Sequence, residues 1–354
     1  MPYDPFLRGA RPVGVRTMEA RDASRRRAFS IELWYPAQPG YAGQDLAPDA
    51  RDAFIGSWSS ARRQMAVRNA DSEPGRYPLI VFSHASGHHR RGATFLCTHL
   101  ASHGYVVAAL DHSEVVAPEL ARREGETLEE RTGRVQAVIR SRVPDIRFLL
   151  DHLLGHTAGP SGIDSERISI VGHSFGGWTA LAAPEMDARI RAVVALAPGG
   201  SSKPKPGIIP ATLTFAWGRD VPTLYLTGED DIFIPLAAVR ELYERTAGTK
   251  RLIVLRRADH LHFMDHVEEE HEASRTLTWT GELAWVANEI RPMAELCSGE
   301  RAHLFTRGLT LAHMDAVLRT SADARGFLDG DVAAELARRG VEAFVIGRDR
   351  CACE

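Results

Sequence analysis

The chain is predicted to be an α/β protein: a mostly parallel, twisted sheet with helices on both faces, opened by an antiparallel hairpin and closed by a C-terminal helical appendage. Three observations carry this. Six short runs, at 78–83, 105–110, 168–171, 190–196, 221–227 and 251–255, are nearly continuously apolar, as strands covered on both faces require. Helical spacing fills intervals between them, at 93–102, 133–154, 177–183 and 236–247, and strands alternating with helices imply parallel crossover units. Residues 11–18 and 28–36 instead alternate polar and apolar side chains, the pattern of half-buried antiparallel strands.

Composition bounds the answer further. With 354 residues, 44% hydrophobic and 25% charged, the chain has the balance of a globular protein rather than a disordered or fibrous one. It is long enough to bury roughly 75% of its unfolded surface without staples. Forty-three Lys and Arg against 46 Asp and Glu give a net charge of -3, which offers nucleic acid no basic footprint. Cys97, Cys297, Cys351 and Cys353 make neither a disulfide framework nor a paired CxxC zinc site. The first residues lack a charged-then-apolar leader, and no run approaches the roughly 18 apolar residues of a membrane span. A cytoplasmic location without a membrane span is expected.

Residues 1–290 are read as the catalytic domain. Within them, 37–77 form a cap-like insertion with an amphipathic helix over 49–67 carrying Phe54, Ile55, Trp58 and Met65. Strand patterns stop near residue 275, and helical spacing through Trp285, Ile290, Leu296, 309–318 and 332–336 marks 291–354 as a helical extension. Such helices could cap a site, pack on the core or join two subunits, so a homo-oligomer stays open.

The strongest chemical signal is Gly172-His173-Ser174-Phe175-Gly176, a G-x-S-x-G directly after an apolar strand and before a helical pattern. Glycines on either side permit a turn tight enough to lift the serine hydroxyl over the carboxyl edge of the sheet. A serine is unreactive at neutral pH unless a base takes its proton, and the base needs an orienting acid in the order Ser, Asp or Glu, His. Asp231, in the loop Gly228-Glu229-Asp230-Asp231 after a strand, is chosen as the acid over Glu229 and Asp230. Of His260 and His262, His260 is chosen as the base because it comes soonest after the last core strand, with Phe263 pinning the loop. The His-x-His pair lacks a clear third ligand, so neither metal nor other cofactor is expected.

Acyl transfer also needs two N–H donors for the developing oxyanion. The residue after the nucleophile supplies one, Phe175, and the loop Ser83-His84-Ala85-Ser86-Gly87 supplies the other, assigned to Ser86. His84, His88 and His89 in this loop are read as packing or hydrogen-bonding groups rather than a metal cluster. Trp178 and His84 are assigned to the substrate pocket, with Phe175 and residues 112–132 beside them and 37–77 as a roof. Trp58, Trp217 and Met264 are further apolar candidates.

The segments Tyr77-Pro78-Leu79-Ile80-Val81-Phe82-Ser83-His84, Ala101-Ser102-His103-Gly104-Tyr105 through His112, and Gly172 to Gly177 together resemble platelet-activating factor acetylhydrolases. They are equally similar to the bacterial group labelled predicted dienelactone hydrolases, and the likeness runs over roughly residues 3–290. It implies an α/β-hydrolase fold and a serine esterase acting on a small-molecule or lipid-like ester. Two departures stand out. Where the acetylhydrolases carry their acid, this chain has Ala197, which returns the role to Asp231. Their His-Gly-x-Gly loop has Ala85 for its first glycine. True dienelactone hydrolases use a cysteine nucleophile, so dienelactone is not the expected substrate. An acyltransferase, thioesterase or amidase would use the same triad, and a non-catalytic hydrolase-like binding protein would keep its outline.

Overall fold

A computed structural model of the chain describes residues 3–56, 60–112, 123–155 and 162–347. The alternating segments near the start form β1 (Val13–Asp22) and β2 (Arg27–Pro36), an antiparallel pair in register from Val13↔Pro36 to Asp22↔Arg27. After β3 (Asp52–Ile55), β4 (Ala61–Gln64) and β5 (Val67–Arg68) come β6 (Arg76–Ser83), β7 (Val106–Leu110), β8 (Gly162–His173), β9 (Ile190–Leu196), β10 (Thr223–Gly228), β11 (Lys250–Leu255) and β12 (Ala343–Ile346). Ten strands make one sheet in the order β12-β11-β10-β9-β8-β6-β7-β2-β1-β5, parallel from β7 through β11.

The helices are α1 (Thr94–Ser102), α2 (Leu128–Gly155), α3 (Phe175–Met186), α4 (Leu236–Arg245), α5 (Val267–Thr276), α6 (Val286–Glu289), α7 (Gly299–Leu318), α8 (Ala322–Asp329) and α9 (Val332–Ala337). They divide between the faces of the sheet, as strand alternation dictates. Leu79 and Val81 of β6 point into one core with Ile146 and Leu149 of α2, Leu181 of α3 and Val239 of α4. Ile80 and Phe82 point into the other with Leu96 of α1, Phe305 and Leu309 of α7 and Leu336 of α9. Two buried faces explain why the central strands read as unbroken apolar runs.

Two expectations are corrected. Residues 49–67 hold no helix over their described part. Asp52 and Phe54 are buried while Ala53 and Ile55 are exposed, the period of a strand, and β3 pairs with β4 as a hairpin. A polar chain anchors it: Trp34 donates to Gln64 at 2.6 Å, Gln64 donates to Asp52 at 2.7 Å, and Arg68 donates to both Asp52 oxygens. Trp58 lies outside the described residues. The chain after residue 290 is not wholly helical either, because β12 adds antiparallel to β11 from Leu252↔Ile346 to Leu255↔Ala343. Four half-buried residues on a sheet edge carry too short a pattern to read. α7 is buried over most of its length and sends Ala302, Phe305, Leu309, Leu311, Met314 and Leu318 into the second core, so of the three roles open to it, this helix packs on the core. Among the described residues, no helix is long and apolar enough to cross a membrane.

Candidate functional site

β8 runs directly into α3 through Ser174, whose backbone sits at φ 59, ψ -117, a conformation that is costly for a residue with a side chain. A Cβ at Gly172 would stand 1.9 Å from Gly176 O, and one at Gly176 would stand 1.9 Å from Ser83 O. The glycines therefore let β8, the turn and the end of β6 come into backbone contact. Three backbone bonds hold the strained turn: Ser174 N–H to Leu196 O, and Ser174 O accepting from Trp178 and Gly199.

The loop after β11 brings His260 over this turn. Its Nε2 lies 2.8 Å from Ser174 Oγ, and its Nδ1 lies 2.7 Å from Asp231 Oδ2. Asp231, in the loop after β10, is 4% exposed. Its other oxygen accepts the backbone N–H groups of Phe233 at 2.9 Å and Ile234 at 2.8 Å. Every lone pair of the carboxylate used by the protein is thus directed, and the imidazole is presented to the serine in one orientation. Glu229 and Asp230 are committed elsewhere, to Arg256 and Arg291. Ala197 is buried and in no position to orient an imidazole; its N–H bonds Leu226 O.

The remaining predicted residues separate into two groups. Phe175 opens α3, where a first-turn N–H has no partner within the helix; Phe175, Ser86 and Trp178 line a cavity of about 770 Å³ beside Ser174. Met264 lines it too. His84 does not, and its assignment to the pocket is corrected: it is 1% exposed, donates from Nδ1 to Ala85 O at 2.7 Å, and accepts the His112 N–H. Burial, with Arg142 nearby, holds its ring well below the usual histidine range and so neutral. Trp217 is buried away from the cavity, donating to Leu181 O. Of the expected roof only Gly56 reaches the cavity among the described residues, and residues 113–122 of the other wall lie outside them.

Sequence reasoning missed the walls that take the roof's place. Ile208, Ile209, Phe233, Leu277, Trp279 and Leu283 supply apolar surface, with Phe233 5.5 Å from the His260 ring and 5.9 Å from Trp279. Phe233 was within reach of inference, because a loop that delivers Asp231 to the site must deliver its next apolar residues close by. His173 was missed as well. It is neutral, its ionisation lowered by burial and by His260, and its Nε2 lies 3.0 Å from His260 O, so the x of the motif pins the backbone of the histidine loop.

A deeper cluster holds that loop from below. Asp259 lies 2.7 Å from Nδ1 of both His262 and His271, whose Nε2 atoms face Cys297 O and Arg291 O. Burial alone would lower His262, but Asp259 and the Cys297 carbonyl raise it to about 10. These two partners favour the charged form of His262, which is fully buried and bonded to Asp259 and Cys297 O rather than to Ser174.

Sheet order, strand-turn-helix serine and the loops after β10 and β11 define an α/β-hydrolase. Residues 23–137 match the family of platelet-activating factor acetylhydrolase, isoform II, and residues 88–309 match the PET hydrolase-like family. The second match spans more than half of the chain, which belongs to the PET hydrolase-like family. The chain is similar to platelet-activating factor acetylhydrolase of Canis lupus familiaris, 30% identical over 34% of this chain and 35% of that protein. It is similar to bis(hydroxyethyl) terephthalate hydrolase of Streptomyces coelicolor, 22% identical over 58% and 56%. Ferulic acid esterase from Streptomyces cinnamoneus superposes with a TM-score of 0.66 at 26% identity, covering 95% of this chain and 96% of that one. The matches to the acetylhydrolases span between a third and a half of those proteins' length.

Proposed function

We propose that the protein is a serine hydrolase of carboxylic esters. Ser174 Oγ attacks the ester carbonyl carbon as His260 Nε2 takes its proton, and the N–H groups of Phe175 and Ser86 receive the oxyanion. Collapse expels the alcohol, which leaves with the proton from His260. Water then attacks the acyl-enzyme by the same route, releasing the acid and restoring Ser174. Asp231 keeps the His260 proton on Nδ1, so that Nε2 is free to accept. The observation that carries this reading is the 2.8 Å approach of His260 Nε2 to a serine held in a strained strand-to-helix turn. Strain at such a position marks function more often than accident.

The cavity supports a small-molecule ester with an apolar or aromatic part lodged against Trp178, Phe233 and Trp279, within the size range of ligand pockets. Two buried free cysteines, Cys97 and Cys297, support a reducing, cytoplasmic setting. The test is hydrolysis of p-nitrophenyl esters of increasing chain length beside labelling with a fluorophosphonate. We expect the probe on Ser174, and a loss in kcat on the order of 10⁴ to 10⁶ in Ser174→Ala with the fold retained. Wild-type turnover in that variant would end the proposal.

A further inference from the structure

Beneath the proposed oxyanion site lies a buried polar assembly that the reaction itself does not use. Arg142, on α2, is 0% exposed. One of its nitrogens donates to His84 O at 2.7 Å and to Ser83 Oγ at 3.2 Å. Its guanidinium carbon lies 4.3 Å from the centre of the Phe175 ring. Ser83 Oγ also meets His112 Nε2 at 3.2 Å, and His112 Nδ1 meets Asp145 Oδ2 at 2.9 Å. Arg25 and Arg27 close the chain on Asp145 at 2.6 and 2.7 Å. Burial first, then the surrounding arginines, keeps His112 neutral. The direction of each bond follows: Arg142 donates to Ser83, Ser83 to His112, and His112 to Asp145.

This chain of Ser, His and Asp is sealed from solvent, all three residues being 2% exposed or less, so it is no second nucleophile. Its position gives it another role. Ser83 and His84 lead through Ala85, whose carbonyl His84 also holds, into Ser86, one proposed oxyanion donor, and Phe175 is the other. A single guanidinium thus touches the backbone that leads to one donor and the side chain of the residue that bears the other. Burying such a cation is expensive, and an apolar residue of similar volume usually stabilises as well or better. The guanidinium meets needs that such a residue cannot: two acceptors and an aromatic face, from two different elements, at once.

We propose that Arg142 is a positioning residue for the oxyanion site, setting the separation and aim of the Ser86 and Phe175 N–H groups from below. This rests on the ester-hydrolase reading. It never touches substrate. It acts on the transition state because a donor displaced from the oxygen that develops charge loses much of its effect, and loss of one whole donor costs about 10²- to 10³-fold.

The test compares wild type, Arg142→Met and Arg142→Lys on p-nitrophenyl acetate and its thionoester, whose sulfur is a poor hydrogen-bond acceptor. Arg142→Met is expected to lower kcat on the oxygen ester about 10- to 100-fold with KM within about threefold, a share of the full-donor effect. On the thionoester the loss should stay below about threefold, since there is little oxyanion bonding to lose. Arg142→Lys, which retains the charge and a single donor nitrogen, should recover part of the rate. Damage to the serine or histidine would lower both substrates alike, and equal losses would overturn the inference. So would a folded Arg142→Met variant with wild-type kcat. Should Arg142→Met fail to fold, the two substrates are compared on Arg142→Lys: a loss confined to the oxygen ester supports the inference, and equal losses or none overturn it. A wild-type protein without Ser174-dependent turnover would instead defeat the ester-hydrolase reading, so the two failures stay distinct.

Discussion

Asp231→Asn tests the site through one hydrogen-bond decision. The carboxylate divides its work: Oδ1 accepts the N–H groups of Phe233 and Ile234, and Oδ2 faces His260 Nδ1 at 2.7 Å. An asparagine in the same place must turn its carbonyl toward either the backbone pair or the imidazole. Facing the imidazole, it would aim its NH2 at two buried N–H donors, each costing roughly 1–3 kcal/mol when unsatisfied. The backbone pair therefore wins by about 2–6 kcal/mol, and the NH2 is left against Nδ1. His260 must then accept at Nδ1 and carry its proton on Nε2, aimed at Ser174 Oγ, where it cannot act as base. Reaching the productive tautomer costs the flip, worth about 30- to 10⁴-fold in rate at 1.36 kcal/mol per decade. A comparable exchange in a serine protease triad lies at the upper end, about 10⁴. We expect kcat for p-nitrophenyl acetate to fall about 10³- to 10⁴-fold with KM and thermal midpoint little changed. Asp230→Asn and Glu229→Gln, which only lose surface ion pairs to Arg291 and Arg256, should stay near wild type. A folded Asp231→Asn enzyme within tenfold of wild type, or a larger loss from either neighbour, would refute the assignment.

Two further outcomes follow from the supports of the site. In Gly176→Ala the new methyl would stand 1.9 Å from Ser83 O and 2.7 Å from His84 O, backbone atoms that cannot step aside. Urea unfolding should show a loss of about 3 kcal/mol or more, and a variant as stable as wild type would show that β6 and the turn are not in such contact. His262, raised to about 10 from 6.5, holds its proton in the folded chain after the unfolded chain has lost it. It contributes stability that is complete below about pH 6.5 and fades as pH rises toward 10, by on the order of 1 kcal/mol per pH unit. The stability gap between wild type and His262→Gln, measured by urea titration, should therefore narrow from pH 6 to pH 10; a constant gap would mean that His262 is neutral in the fold.

The parts of the molecule that were legible in sequence are those whose physics is local. β6, β9 and β11 could be read because covering both faces of a strand demands consecutive apolar residues, and α4 because a helix buried on one face repeats its apolar positions every 3.6 residues. The candidate serine could be read because only glycine tolerates the backbone approach at 172 and 176. The 49–67 segment misled because Phe54 and Ile55 are adjacent apolar residues in a hairpin too short to show its period. β12 escaped for the same lack of length.

By itself the sequence determined the α/β architecture, the strand-turn-helix around Ser174 and the short list of partners in the loops after β10 and β11, since each depends on residues near one another in the chain. Only the tertiary structure decided which carboxylate among Glu229, Asp230 and Asp231 meets His260, that His262 and His84 turn inward, and that Phe233, Trp279 and Leu283 wall the cavity. It also decided that Arg142 grips Ser83 and His84 beneath Phe175. Those are contacts between groups far apart in sequence, and no residue pattern records a distance that exists only after the sheet has closed around both.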